Sequence, residues 1–113
     1  MTPIAEAFSR HAFSEVYPHL ADDVRWRLIG AADVEGRDAV IAACEESLPH
    51  LAALKTEFTE FRARGGPDFA VVDSTATYTD PDGATSQVAS CDLFTFTGGK
   101  LTEIVSYTVE LPP

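Results

Sequence analysis

Apolar residues recur along this chain first at helical spacing and then at strand spacing. Thr2-Pro3 predicts a helix start, with Thr2 as N-cap and Pro3 at the first helical position. Ile4, Ala5, Ala7, Phe8 and Ala12 fall near one face, and Phe13, Val16, Tyr17 and Leu20 form a second set at i, i+3, i+4, i+7. The two sets are out of phase, so a break is expected near residues 12–14, and Pro18 weakens the second segment. A half-exposed strand comes next over 24–29, with Val24, Trp26 and Leu28 on one side and Arg25 and Arg27 on the other. Gly30 ends it, and a loop through 33–36 leads to a second helix from Arg37. Val40, Ile41, Cys44, Leu48 and Leu51 give that helix its apolar face, and Pro49 is expected to end its regular part near Ser47.

Beyond Lys55 the period falls to two. Strands are predicted over 56–64, 69–79, 85–97 and 101–111, separated by Gly65-Gly66-Pro67-Asp68, Asp80-Pro81-Asp82-Gly83 and Gly98-Gly99. Helices first and strands afterwards imply an α+β fold, with the N-terminal helices packed on one face of a bent antiparallel sheet of four or five strands. One position breaks the pattern. Val88, Ser90, Asp92, Phe94 and Phe96 share a face that is mostly apolar, and Asp92 puts a carboxylate into it. Burying such a group without a partner costs several kcal/mol as an order of magnitude, so Asp92 is the first candidate for chemistry.

Length and charge narrow the function. A chain of 113 residues is one domain, 1–113, with room for one core. A net charge of -10, from eighteen acids against eight Lys and Arg, argues against nucleic acid and anionic membrane as partners. No apolar run approaches ~18 residues, and no secretory signal pattern opens the chain, so a cytoplasmic location is expected. Cys44 and Cys91 lack C-x-x-C spacing and read as free thiols, with a disulfide left open. His11, His19 and His50 match no metal or triad spacing, and no G-x-S-x-G, Walker or dinucleotide motif occurs. Neither a metal nor an organic cofactor is expected.

Leu20-Ala21-Asp22-Asp23-Val24-Arg25-Trp26, Glu35-Gly36-Arg37-Asp38-Ala39-Val40, Asp92-Leu93-Phe94, and Gly99-Lys100-Leu101-Thr102-Glu103-Ile104 with Tyr107 carry a resemblance. Over nearly its whole length the chain resembles a nuclear transport factor 2-like domain, of the SnoaL-like (polyketide cyclase) and ketosteroid isomerase branch. The resemblance implies a cone (a cystatin-like α+β roll), in which helices close the concave face of a curved sheet around an apolar pocket. It also implies a homodimer through the outer face of the sheet. Asp92 matches the position where ketosteroid isomerases hold a protonated Asp that donates to the substrate oxyanion, and Tyr107 matches a pocket-lining aromatic on the last strand. The isomerase general base aligns with Leu28, which cannot accept a proton, and the oxyanion Tyr of the first helix has no counterpart beyond nearby Phe8. Limonene-epoxide hydrolase chemistry is disfavoured as well, because Ser106 stands where an Asp is needed. A lone pocket acid fits the polyketide cyclases.

The candidate site is therefore Asp92 as acid/base, with Phe8, Trp26, Leu28, Tyr78, Phe94 and Tyr107 as pocket walls and His11 as proton partner. Each has a plainer reading: Asp92 as an acid satisfied by backbone donors, the aromatics as solid core filling, Arg25 and Arg27 as outer charges paired with Asp22 and Asp33. Three functions stay open. One is isomerase, cyclase or lyase chemistry on a small hydrophobic carbonyl compound. The others are a non-catalytic domain that binds such a ligand and a dimerisation module.

Overall fold

The computed structural model describes all 113 residues, Met1–Pro113. Helix α1 (Thr2–Ser9) is followed by two 3₁₀ turns (Phe13–Glu15 and Tyr17–His19), strands β1 (Leu20–Leu28) and β2 (Ala32–Glu35), and helix α2 (Arg37–Ala52). Four long strands complete the chain: β3 (Lys55–Gly65), β4 (Phe69–Thr79), β5 (Thr85–Thr97) and β6 (Lys100–Glu110). They form one six-stranded sheet in the order β2-β1-β6-β5-β4-β3. The expected α+β fold, a curved sheet with N-terminal helices on its concave side, is the observed one, with six strands in place of four or five. All junctions are antiparallel except β1–β6, which is parallel, α2 and four strands intervening before the chain returns beside β1.

Curvature comes from irregular pairing. Register shifts lie between Phe58 and Glu60 on β3, between Thr95 and Phe96 on β5, and between Leu20 and Arg25 on β1. Such bulges bend and twist a strand locally. Against the concave side α1 packs on β3 and β4, and α2 on β1. Phe8 is the hub of this contact, with ring centroids 5.2 Å from Phe13, 5.1 Å from Trp26 and 5.6 Å from Phe94. Val40 and Cys44 bring α2 into the same core.

Several local expectations are corrected. Met1, not Thr2, caps α1: its carbonyl accepts the Ala5 N–H at 3.2 Å, so the helix already includes Thr2. The second apolar set forms the two 3₁₀ turns rather than a helix, because Pro18 cannot supply the amide a continuing helix needs. Asp22 and Asp23 lie inside β1 rather than before it, both exposed. The loop expected through 33–36 is mostly strand β2, tied to β1 by ion pairs of Arg25 with Asp33 (3.2 Å) and of Arg27 with Asp33 (3.8 Å). Helix α2 runs past Pro49 to Ala52, since the bond Pro49 forfeits belongs to the carbonyl of exposed Glu45. Cys44 and Cys91 are free thiols.

Candidate functional site

Strand register sets the site. Asp92 of β5 stands opposite Val72 of β4 and Ser106 of β6, so all three share the concave face. Above them, the last residue of α1, Ser9, donates its hydroxyl to Asp92 Oδ2 at 2.8 Å. From β1, Trp26 Nε1–H donates to Ser106 Oγ at 3.0 Å, and the Ser106 hydroxyl in turn acts on Asp92 as a hydrogen-bond partner. The carboxyl is thus held by two serines, one from a helix and one from a strand.

Beneath α1 and the end of α2 the sheet encloses a cavity of about 260 Å³. Phe8, Trp26 and Leu28 supply apolar wall, Ser74, Ser90 and Ser106 polar wall, and Asp92, His11 and Tyr78 the ionisable groups. The part of Asp92 that stays accessible faces this cavity. Burial pushes the Asp92 carboxyl above its ordinary value of 3.8, opposed by the Ser106 and Ser9 hydrogen bonds and by His11. His11 moves down from 6.5, because burial disfavours its cationic form more strongly than Asp92 favours it. Burial, and then Asp92, raise the Tyr78 phenol. Those three directions describe a buried base beside a neutral imidazole and a neutral phenol.

The backbone at His11 is unusual. Ala12 N–H bonds to the Ala7 carbonyl at 2.8 Å and His11 N–H to the Phe8 carbonyl at 2.9 Å, the paired bonds of a Schellman ending for α1. The residue in its left-handed position is normally glycine, yet here it is His11, with φ 69°. A side chain held in that conformation costs about 1–2 kcal/mol. The strain carries the imidazole to the cavity, between Phe13 (5.8 Å) and Phe58 (6.0 Å).

Of the residues named from sequence, Asp92, Phe8, Trp26, Leu28, Tyr78 and His11 meet around this cavity. Two do not. Phe94 is 1% exposed and packed in the core against Phe8, so it supports the wall without lining it. Tyr107 is 47% exposed, stands opposite Cys91, and points from the convex face. A regular two-residue hairpin at Gly98-Gly99 would pair Asp92 with Val105 and turn Tyr107 inward. The bulge after Thr95 moves the register by one residue and exchanges the faces of β6, so Ser106 enters and Tyr107 leaves. Ser9, Ser106 and His50 are among the cavity residues that periodicity left unmarked. No cluster of three or more His, Cys, Asp or Glu side chains is arranged to hold a metal ion.

This geometry has relatives. The SnoaL-like domain family matches residues 4–104. The chain belongs to that family. The fold of this SnoaL-like domain is shared with nuclear transport factor 2-like proteins. One of these, a protein of unknown function from Cytophaga hutchinsonii, is 27% identical with a TM-score of 0.83, covering 95% of this chain and 94% of that one. A Jannaschia protein provisionally named a SnoaL-like polyketide cyclase is 18% identical (TM-score 0.70, covering 93% and 81%). A Rhodopseudomonas palustris protein provisionally named an isomerase is 18% identical (TM-score 0.67, covering 93% and 88%). At such identities the last two speak for the fold alone. No curated protein matches the sequence.

Proposed function

We propose that this SnoaL-like domain binds a small hydrophobic carbonyl compound in its cavity and moves a proton on it with Asp92, as an isomerase or cyclase. The observation that carries this reading is the Asp92 carboxyl on a cavity wall, with its pKa raised by burial and its orientation held by Ser9 and Ser106. A raised carboxyl pKa strengthens the carboxylate as a base towards a carbon acid. The size of the space sets the ligand class. A void of about 150 Å³ accepts benzene, so about 260 Å³ suits one substituted ring or two fused rings.

In this mechanism the Asp92 carboxylate takes a proton from the carbon next to the ligand carbonyl. Charge moves to the carbonyl oxygen as an enolate, where the neutral Tyr78 phenol is the available donor. In a ligand with a β,γ double bond the enolate extends to the γ carbon, and Asp92 returns the proton there in an isomerisation. In a cyclisation the enolate carbon attacks a second carbonyl, and the proton goes to the alkoxide so formed. His11 lines the same cavity as a neutral imidazole, and a proton that reaches it there would be favoured by the Asp92 carboxylate.

The test needs no knowledge of the natural substrate. Cyclic and aryl ketones of one or two rings are incubated in D₂O, and deuterium entering next to the carbonyl is followed by NMR. Wild type should accelerate exchange for at least one ketone, and Asp92→Asn should slow it about 10²-fold or more. Equal rates for the two proteins would leave Asp92 a structural acid in a binding domain.

The same reading includes a second copy of the chain. Leu93, Tyr107 and Val109 are 38%, 47% and 61% exposed, and β5–β6 register gathers them on the convex face with Val105. That apolar stripe favours a homodimer through the outer face of the sheet.

A further inference from the structure

A second, open space of about 460 Å³ lies beside the inner cavity, bounded by Leu54, Asp80, Ala84, Thr85 and Ser86. Three side chains, His50, Leu51 and Tyr78, line both spaces. They come from the last turn of α2 and the end of β4, so residues of these two elements stand at the boundary between the two volumes. Resting on the proposed function, we infer that His50, Leu51 and Tyr78 form a neck, and that the ligand has two parts: a ring in the inner cavity and an unbranched tail in the outer groove.

The wall chemistry specifies that tail. Leu54 and Ala84 offer apolar surface along the groove, while Thr85 and Ser86 offer hydroxyls on its wall. Asp80 is already committed at the rim, where its Oδ1 accepts the Asp82 and Ala84 backbone N–H groups at 2.9 and 3.0 Å. Its negative charge there, on a chain of net charge -10, disfavours a carboxylate or phosphate at the tail end. The ligand class is a cyclic or aryl ketone with a neutral, largely aliphatic tail. Asp92 lines the inner cavity and Tyr78 its neck, so the carbonyl sits next to the ring and the tail leaves through the neck. Ser86 stands directly opposite Tyr78 across the β4–β5 pairing and shares its face. A larger side chain at that position fills the outer groove and leaves the inner cavity free.

Aryl ketones of constant head and growing tail (acetophenone, butyrophenone, octanophenone) test this. Binding is read from quenching of Trp26, the sole tryptophan, which lines the inner cavity. Each methylene fully buried in the groove strengthens binding roughly fourfold. Butyrophenone and octanophenone should therefore bind wild type at least tenfold more tightly than acetophenone does. In Ser86→Phe, and independently in Ala84→Phe, the gain should vanish while acetophenone binds as to wild type, which also reports that each variant is folded. Acetophenone binding with no gain from the tail, or a gain that both variants keep, overturns the neck and groove while leaving the proposed function standing. If no phenone quenches Trp26, the proposed function fails and the two-part ligand fails with it.

Discussion

A carboxyl and an imidazole share one small space here, and each is pushed towards its neutral form. For Asp92 the folded pKa lies above the unfolded one, so native stability is lost as pH climbs from about 3.8 through the raised folded value. Above that window the penalty is complete, and below 3.8 it is absent. Asp92→Asn removes it while keeping an acceptor for Ser9, so the variant should melt above wild type at pH 7 and together with it at pH 3, as calorimetry would read. His11 has the opposite sense. Its folded pKa is below 6.5, so stability is lost as pH falls from 6.5 through the lowered value. His11→Gly relieves left-handed strain worth about 1–2 kcal/mol and gives up the contacts with Phe13 and Phe58. Its melting temperature should equal or exceed that of wild type, while ketone exchange slows about tenfold or more. Slower exchange in a protein at least as stable separates a proton role from a structural one. Asp92 is legible in the sequence because a charge stands out against strict alternation. Ser9 and Ser106 are not, since a serine fits either face of a strand or helix, and nothing in its chemistry betrays a tertiary partner.

Helix α1 shows how an element too short to be stable alone is made part of a site. Eight residues are marginal as an isolated helix, and Phe8 fixes them to the sheet through three aromatic contacts. Phe8→Ala should cost about 3–5 kcal/mol, measured by urea unfolding. Amides of α1 should then exchange with solvent sooner than those of β5, because Ser9 leaves Asp92 when the helix undocks. Strand boundaries track the turn residues closely: Asp80-Pro81-Asp82-Gly83 and Gly98-Gly99 separate β4, β5 and β6 as expected. Spacing does not reveal the bulge at Thr95–Phe96, and with it the face of β6. A one-residue shift inverts every later side chain on the strand, which is why Tyr107, expected in the cavity, lies outside it. Strand β2 is hidden in the sequence because Asp33 and Glu35 flank Val34 in a stretch that reads as polar loop; its partner arginines on β1 supply the missing reason.

For the whole molecule, the α+β cone is readable because its signals are repeated: helices come first, strands afterwards, and the resemblance spans nearly all the chain. The volume of the interior is not readable, since identical apolar residues can fill a cup or line it. Here they leave about 260 Å³ beside Asp92. No helix is long and apolar enough to cross a membrane. The convex face has its own test. Replacing Leu93 and Tyr107 together by Lys places two like charges in each copy's stripe, so sedimentation velocity should find a dimer for wild type and a monomer for the double variant. Trp26 fluorescence should be the same in both, because the two substitutions lie on the opposite face of the sheet from the cavity.

Asp92 is proposed as the group that moves the proton, and its own titration tests this most directly. Carbon-13 NMR of the Asp92 carboxyl gives its midpoint in the folded protein, and the ketone deuterium-exchange rate is measured over the same pH range. The midpoint should lie above 3.8, and the exchange rate should rise with pH through that same midpoint as the carboxylate forms. A midpoint at or below 3.8, or an exchange rate that ignores it, would contradict a proton-transfer role for Asp92.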